Sequence, residues 1–102
     1  MAVQVLFHRL AVQEYRKALA WYRRRSSAAS LRFRTHVDRA IEKIASNPEI
    51  GTEFRGCYRW IRTRRFPYLI FYEVVDPNTI RVFAVAHSRR RLGYWMRRAT
   101  QP

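Results

Sequence analysis

The residues whose types could do chemistry gather late in the chain, in Val85-Ala86-His87-Ser88-Arg89-Arg90-Arg91. Ribonucleolytic transesterification needs a base for the 2′-hydroxyl, an acid for the leaving oxygen and cations for the charge that builds on phosphorus. His87 with Tyr68 or Tyr94 would supply the acid and base, and Arg62 and Arg90 would hold the phosphate. The same letters fit a scaffold without catalysis, in which His87 ends a strand through a ring hydrogen bond and the arginines form a solvated basic end. The second reading is preferred here, with no residue assigned as catalytic and His87, Tyr68, Tyr94, Arg62 and Arg90 kept as the set an RNase would use.

A second constellation is Trp60 among Arg59, Arg62, Arg64 and Arg65, a composition that can stack on a base and hold backbone phosphate. Its plainer explanation is that Trp60 packs beneath Tyr94-Trp95. The surface expected to engage a partner comprises Trp60, Arg62, Arg64, Arg65, Arg89, Arg90, Arg91, Tyr94 and Trp95. Arg23-Arg24-Arg25 is better explained as a solvated helix end, where cations favour the negative pole of the macrodipole. Glu73 has no neighbouring proton donor and reads as structural. His8, His36 and Cys57 lack ligand spacing, and no glycine-rich phosphate loop is present, so neither metal nor nucleotide cofactor is expected.

These groups must be positioned by one small domain, because 102 residues can enclose a single core. An apolar fraction of 48% and an aromatic fraction of 15% suit a packed protein rather than a disordered one. A formal charge of +14 predicts a polyanionic or acidic partner. Of the 21 basic residues 19 are arginine, which forks onto phosphates and carboxylates where lysine cannot, although a GC-rich genome gives the same bias. The lone Cys57 excludes an intrachain disulfide, and no apolar run reaches the roughly 20 residues of a membrane span. With no export signal visible, a cytoplasmic protein without membrane contact is expected.

The periodicities place the elements. Val3, Val5 and Phe7 alternate as a first strand; Ala11, Tyr15, Ala18, Leu19 and Tyr22 recur at helical spacing to about Arg25. Ser26, Ser27 and Ser30 offer N-caps for a second helix carrying Phe33, Val37, Ala40, Ile41 and Ile44, which Asn47-Pro48 stops. Glu49 to Gly56 reads as a connection with at most a strand fragment. Strands follow at Tyr58–Thr63, Tyr68–Val75 and Ile80–Ala86, the last two joined by a type I turn at Asp76-Pro77-Asn78-Thr79. If Asp76 and Thr79 flank that turn, Tyr72 faces Phe83, Ile70 faces Val85, Tyr68 faces His87 and Glu73 faces Val82. The segment around Tyr94-Trp95 reads as a final helical turn or an extended tail with an aromatic anchor. The expected fold is therefore α+β, in the order β-α-α-β-β-β, with a helical hairpin on one face of a mainly antiparallel sheet and the other face left uncovered.

This order, with Arg65-Phe66-Pro67-Tyr68-Leu69-Ile70-Phe71-Tyr72 and Val85-Ala86-His87-Ser88-Arg89-Arg90, resembles the RelE/ParE superfamily of bacterial type II toxins over nearly the whole chain. The two motifs look like the ParE side, whose members are understood to inhibit DNA gyrase without cutting RNA. The resemblance implies a cognate antitoxin whose flexible, often acidic segment wraps the toxin, docking on the uncovered face and basic end. The alternative it implies is a RelE-like, ribosome-dependent mRNA interferase. Such nucleases carry an arginine directly after the tyrosine that opens the first long strand, where this chain has Leu69. They also carry basic residues where this chain has Trp60 and Arg62, and an arginine matched by Arg90. Losing one donor from a charge-stabilising site costs on the order of 10²-fold to 10³-fold in rate, which favours the gyrase inhibitor.

Overall fold

Both expected helices form, and one serine separates them. The computed structural model describes residues 3–100. After strand β1 (Gln4–Phe7) come α1 (Arg9–Arg25) and α2 (Ser27–Ser46). His8 caps α1, its Nδ1 accepting from the Leu10 N–H at 3.1 Å. That bond requires an unprotonated ring nitrogen. Burial first, then the Arg98, Arg9 and Arg81 charges, hold the His8 pKa below its ordinary value and keep it available. Ser26 ends α1 by donating its N–H to the Tyr22 carbonyl at 2.9 Å, and begins α2 by accepting from the Ala29 N–H at 3.2 Å. Asn47 and Pro48 stop α2 as expected, with a 3-10 turn at Pro48–Ile50.

The strands that follow are β2 (Thr52–Phe54), β3 (Tyr58–Arg62), β4 (Tyr68–Asp76) and β5 (Thr79–His87), before a 3-10 helix at Met96–Thr100. They form one five-stranded sheet in the order β1-β5-β4-β3-β2, with β1 parallel to β5 and the other pairs antiparallel. The strand fragment allowed between Glu49 and Gly56 is β2, hydrogen-bonded along β3. Asp76 pairs with Thr79 across the expected turn, and the Asp76 carboxylate accepts from the Asn78 N–H at 2.8 Å.

The β4–β5 register agrees with the sequence at Tyr68–His87 and Ile70–Val85 but departs from it in the middle. Tyr72 pairs with Val82 rather than Phe83, and Glu73 with Arg81 rather than Val82. Two offsetting irregularities cause this: Phe83 is an extra residue on β5, and Val75 an extra residue on β4. The bulge turns Phe83 away from the helices, so Phe83 and Ala84 share one face despite being neighbours.

The sheet consequently has two cores. On the helix side Ile70, Tyr72, Ile80 and Val82 pack against Ala11, Ala18, Phe33, Val37, Ala40 and Ile44. On the other side Leu69, Phe71, Phe83, Ala84 and Ala86 surround Trp95, which is 0% exposed. The expectation of an uncovered second face is therefore corrected. That face is apolar, so the chain folds back to cover it: the Trp95 ring stacks on Phe83 at 5.5 Å, lies 5.1 Å from Phe71 and meets Tyr58 edge-on at 5.1 Å. Trp60, Phe54 and Met96 complete the margin, so Trp60 does lie beneath the C-terminal segment.

Tyr72 ties the two layers to the connection after α2. Its hydroxyl donates to the Pro48 carbonyl at 2.7 Å and accepts from the Gly51 N–H at 2.9 Å. A Cβ on Gly51 would stand 2.5 Å from that hydroxyl oxygen, so glycine is required there by close approach. Gly51→Ala should cost about 1–3 kcal/mol by overpacking, and less in the Tyr72→Phe background, where the hydroxyl it strikes is gone; urea unfolding of the four proteins in this cycle measures the coupling. Trp95→Ala, which removes the centre of the second core, should cost about 3–5 kcal/mol in the same experiment.

Candidate functional site

Strand pairing gathers arginine runs that lie far apart in the sequence. Arg62 pairs with Leu69 and Tyr68 with His87, so the end of β3, the start of β4 and the end of β5 lie together. The Ser88 N–H donates to the Pro67 carbonyl at 2.7 Å, joining the segment after β5 to the β3–β4 loop. Tyr22, near the end of α1, meets Phe66 edge-on at 5.1 Å and brings Arg23-Arg24-Arg25 to the same region. Arg62, Arg64, Arg65, Arg89, Arg90 and Arg91 are all exposed there. Apart from Glu14, which reaches Arg90, carboxylates concentrate elsewhere, with Asp76 in the turn at the opposite end of β4 and β5 and Glu73 beside Cys57.

The β3–β4 loop is built to hold its arginines outward. Thr63 is 0% exposed, and its hydroxyl bonds to the Phe66 and Tyr68 carbonyls at 3.0 and 3.1 Å. Arg65 has φ +67°, a left-handed conformation that costs a side-chain-bearing residue on the order of 1 kcal/mol relative to glycine. The loop retains an arginine at a position where glycine would be less strained.

Beside this end a groove of about 530 Å³ lies between α1 and the β4–β5 ends. It is lined by Lys17, Trp21 and Tyr22 from α1, and by Tyr68, His87 and Arg90. The His87 and Tyr68 rings meet edge-on at 5.4 Å, and His87 Nδ1 accepts from the Arg89 N–H at 3.1 Å. The strand-ending ring hydrogen bond considered from the sequence is thus present. Tyr68 points toward the helices, near Phe33 and Tyr22, and desolvation raises its pKa.

Of the other candidates Arg90 shares this groove, whereas Arg62 and Tyr94 do not line it. Leu69 faces the opposite side of the sheet in the Trp95 core, and its partner Arg62 leaves β3 one residue out of phase with the helix-facing Ile61. Tyr94 donates its hydroxyl to Glu14 at 2.6 Å, and burial together with that carboxylate raises its pKa strongly. Arg90 lies 3.6 Å over the Tyr94 ring and 3.4 Å from Glu14. Of the expected partner surface, Trp95 is fully buried and unavailable, Tyr94 is committed internally and Trp60 is half-buried; the arginines remain accessible.

Glu14, which sequence reasoning did not single out, organises this region. β1 stops opposite Val82, leaving the outer edge of β5 without a strand beyond that point. Glu14 Oε1 accepts the Val85 N–H at 3.1 Å, and Arg98 donates to the Phe83 carbonyl at 2.9 Å, so side chains replace the missing ladder. Arg98 also forks onto Glu14 at 2.9 and 3.0 Å. The available signal was that Glu14 is the single acidic residue among the first 37, on a helix otherwise rich in cations.

Glu14→Ala should therefore destabilise by on the order of 2–3 kcal/mol, leaving Arg98 and the Val85 N–H unpaired, while Glu14→Gln, which keeps two acceptor contacts, should cost less in thermal unfolding. The raised Tyr94 pKa also sets an alkaline limit. Its contribution is fully present below the unfolded tyrosine value of about 10 and is lost as pH rises above it. Melting temperature should fall through that window less steeply for Tyr94→Phe than for the native chain.

The comparisons agree with this architecture. The model for the ParE toxin of the parDE type II toxin–antitoxin system matches residues 5–92. Among solved structures, the E. coli toxin RelE, a double arginine-to-alanine mutant in the free state, is similar with a TM-score of 0.62 and 19% identity, covering 87% of this chain and 86% of that one. No curated protein matches the sequence. The likeness to RelE is one of fold, an α+β sheet-and-hairpin architecture, whereas the family match spans most of the sequence, and the chain belongs to the ParE toxin family of type II toxin–antitoxin systems.

Proposed function

We propose that this toxin arrests growth by binding DNA gyrase on DNA, without catalysis of its own, and that it does so in the cytoplasm until a cognate antitoxin silences it. The observation that carries this reading is that the face on which Tyr68 and His87 meet lacks the arginine of the nuclease pattern. Tyr68 and His87 look toward α1, while Leu69, at the place where the nuclease pattern has arginine, is buried at 6% exposure beside Trp95. Tyr94 is held protonated against Glu14, which removes it as a base near neutral pH. What is left accessible is a set of arginines at one end of the sheet, suited to carboxylates and phosphates.

The antitoxin is proposed to place an acidic segment on that arginine end, since the second sheet face is already filled by the chain itself. An exposed, free Cys57 and the absence of any helix long and apolar enough to cross a membrane, among the described residues, fit this setting.

One observation favours the ribosome-dependent mRNA interferase as a second reading: His87, Tyr68 and Arg90 do share a groove. Purified toxin added in stoichiometric amounts to gyrase should reduce supercoiling or trap cleaved DNA, and the His87→Ala variant should retain most of that effect. Discrete cuts in translating mRNA that disappear in His87→Ala, with supercoiling untouched, would establish the interferase instead.

A further inference from the structure

A second cleft, of about 210 Å³ and sharing Arg62 and Arg64 with the arginine end, runs between α2 and the end of β3, lined by His36, Arg39, Ala40 and Lys43 on one side and by Ile61 and Arg64 on the other. The α2 residues recur at the i, i+3, i+4 and i+7 spacing that puts them in a row on one helix face. Arg62 borders the same cleft. Among the described residues none of Arg39, Lys43, Arg62 and Arg64 forms an ion pair, whereas Arg59, Arg90 and Arg98 all do. Partial desolvation, and then the Arg39, Arg65 and Arg64 charges, hold the His36 pKa below its ordinary value, as expected beside cations that nothing neutralises.

We propose that this cleft grips the phosphate backbone of duplex DNA, with Arg39, Lys43 and Arg64 as the phosphate contacts. Phosphodiester fits better than an acidic peptide because the cleft's apolar lining is limited to Ala40 and Ile61, too little for the apolar anchors by which a peptide helix docks. A duplex fits better than a single strand because no Trp, Tyr or Phe lines the cleft to stack on an unpaired base, and the one ring there, His36, packs against Phe66 at 5.7 Å. The choice of DNA over an RNA duplex rests on the gyrase reading; the binding itself does not, and it is measured without gyrase, so the two fail separately.

The chain has two lysines, and they provide an internal control: Lys43 lies in this cleft and Lys17 lines the groove beside His87. A short DNA duplex should protect Lys43 from acetylation and leave Lys17 reactive. Binding followed by fluorescence anisotropy should weaken roughly tenfold or more in Arg39→Ser/Lys43→Ser/Arg64→Ser, with the salt slope lowered by about 3. Arg9→Ser/Arg81→Ser/Arg97→Ser, which removes the same charge elsewhere, should stay within about threefold of the native chain. The proposal is overturned if the two triple variants weaken equally, if both lysines are protected alike or neither is, or if single-stranded DNA or polyglutamate protects Lys43 as well as the duplex does. Stronger protection by an RNA duplex would overturn the choice of DNA.

Discussion

The constraint on which the rest of the molecule depends is that the β4–β5 hairpin is apolar on both faces while the helices cover one. Leu69, Phe71 and Phe83 leave an apolar surface in water unless something closes it, and burying aromatic and aliphatic area of this kind contributes about 25 cal/mol per Å². Trp95 closes it, and in doing so commits the C-terminal segment to the core. What the sheet itself then offers a partner lies chiefly at its ends and edges. The functional surface is defined by what the second core has already used.

Glu14 couples that cover to the helices. It accepts from β5, from Tyr94 and from Arg98, and so holds α1, the open edge of β5 and the C-terminal segment in one network. An unpaired strand edge invites association with other chains, and β5 is exposed to that hazard beyond Val82, where β1 ends. Closing the edge with a carboxylate and an arginine instead of a longer strand leaves room for the groove that contains His87. A partly buried ion pair is seldom a large source of net stability. Here its effect is to fix geometry.

The charge distribution follows from the same topology. Antiparallel pairing brings Arg62–Arg65 alongside Arg89–Arg91 and sends Glu73 and Asp76 to the far end of the strands, giving the molecule a basic pole. Cations that the chain neutralises, such as Arg98, are structural. Those it leaves exposed and unpaired, at the strand ends and along α2, are the ones through which a protein of +14 charge can meet an acidic segment or a phosphate backbone.

Much of the fold was legible because the signals were local: helical spacing in α1 and α2, the serine and Asn-Pro boundaries, and an Asp-Pro-Asn turn whose geometry fixed Tyr68 opposite His87. Two apolar strand faces were also visible as near-continuous hydrophobic runs, yet what covered the second was not, because no periodicity connects Trp95 to Phe71 and Phe83. The bulge at Phe83 escaped for a related reason: a one-residue irregularity reverses which face a side chain takes, and its compensation at Val75 restores the register at the turn from which pairing was counted. The site divides in the same way. Sequence by itself determined the residue types, the excess of unneutralised arginine, the leucine at position 69 and the neighbourhood of Tyr68 and His87. Tertiary structure alone decided that Trp95 and Tyr94 are spent internally, that Glu14 is the acid that Tyr94 and Arg98 share, and that His36, Arg39 and Lys43 confront Arg64 across a cleft, because each of these is a meeting of segments whose distance along the chain leaves no trace in composition or spacing.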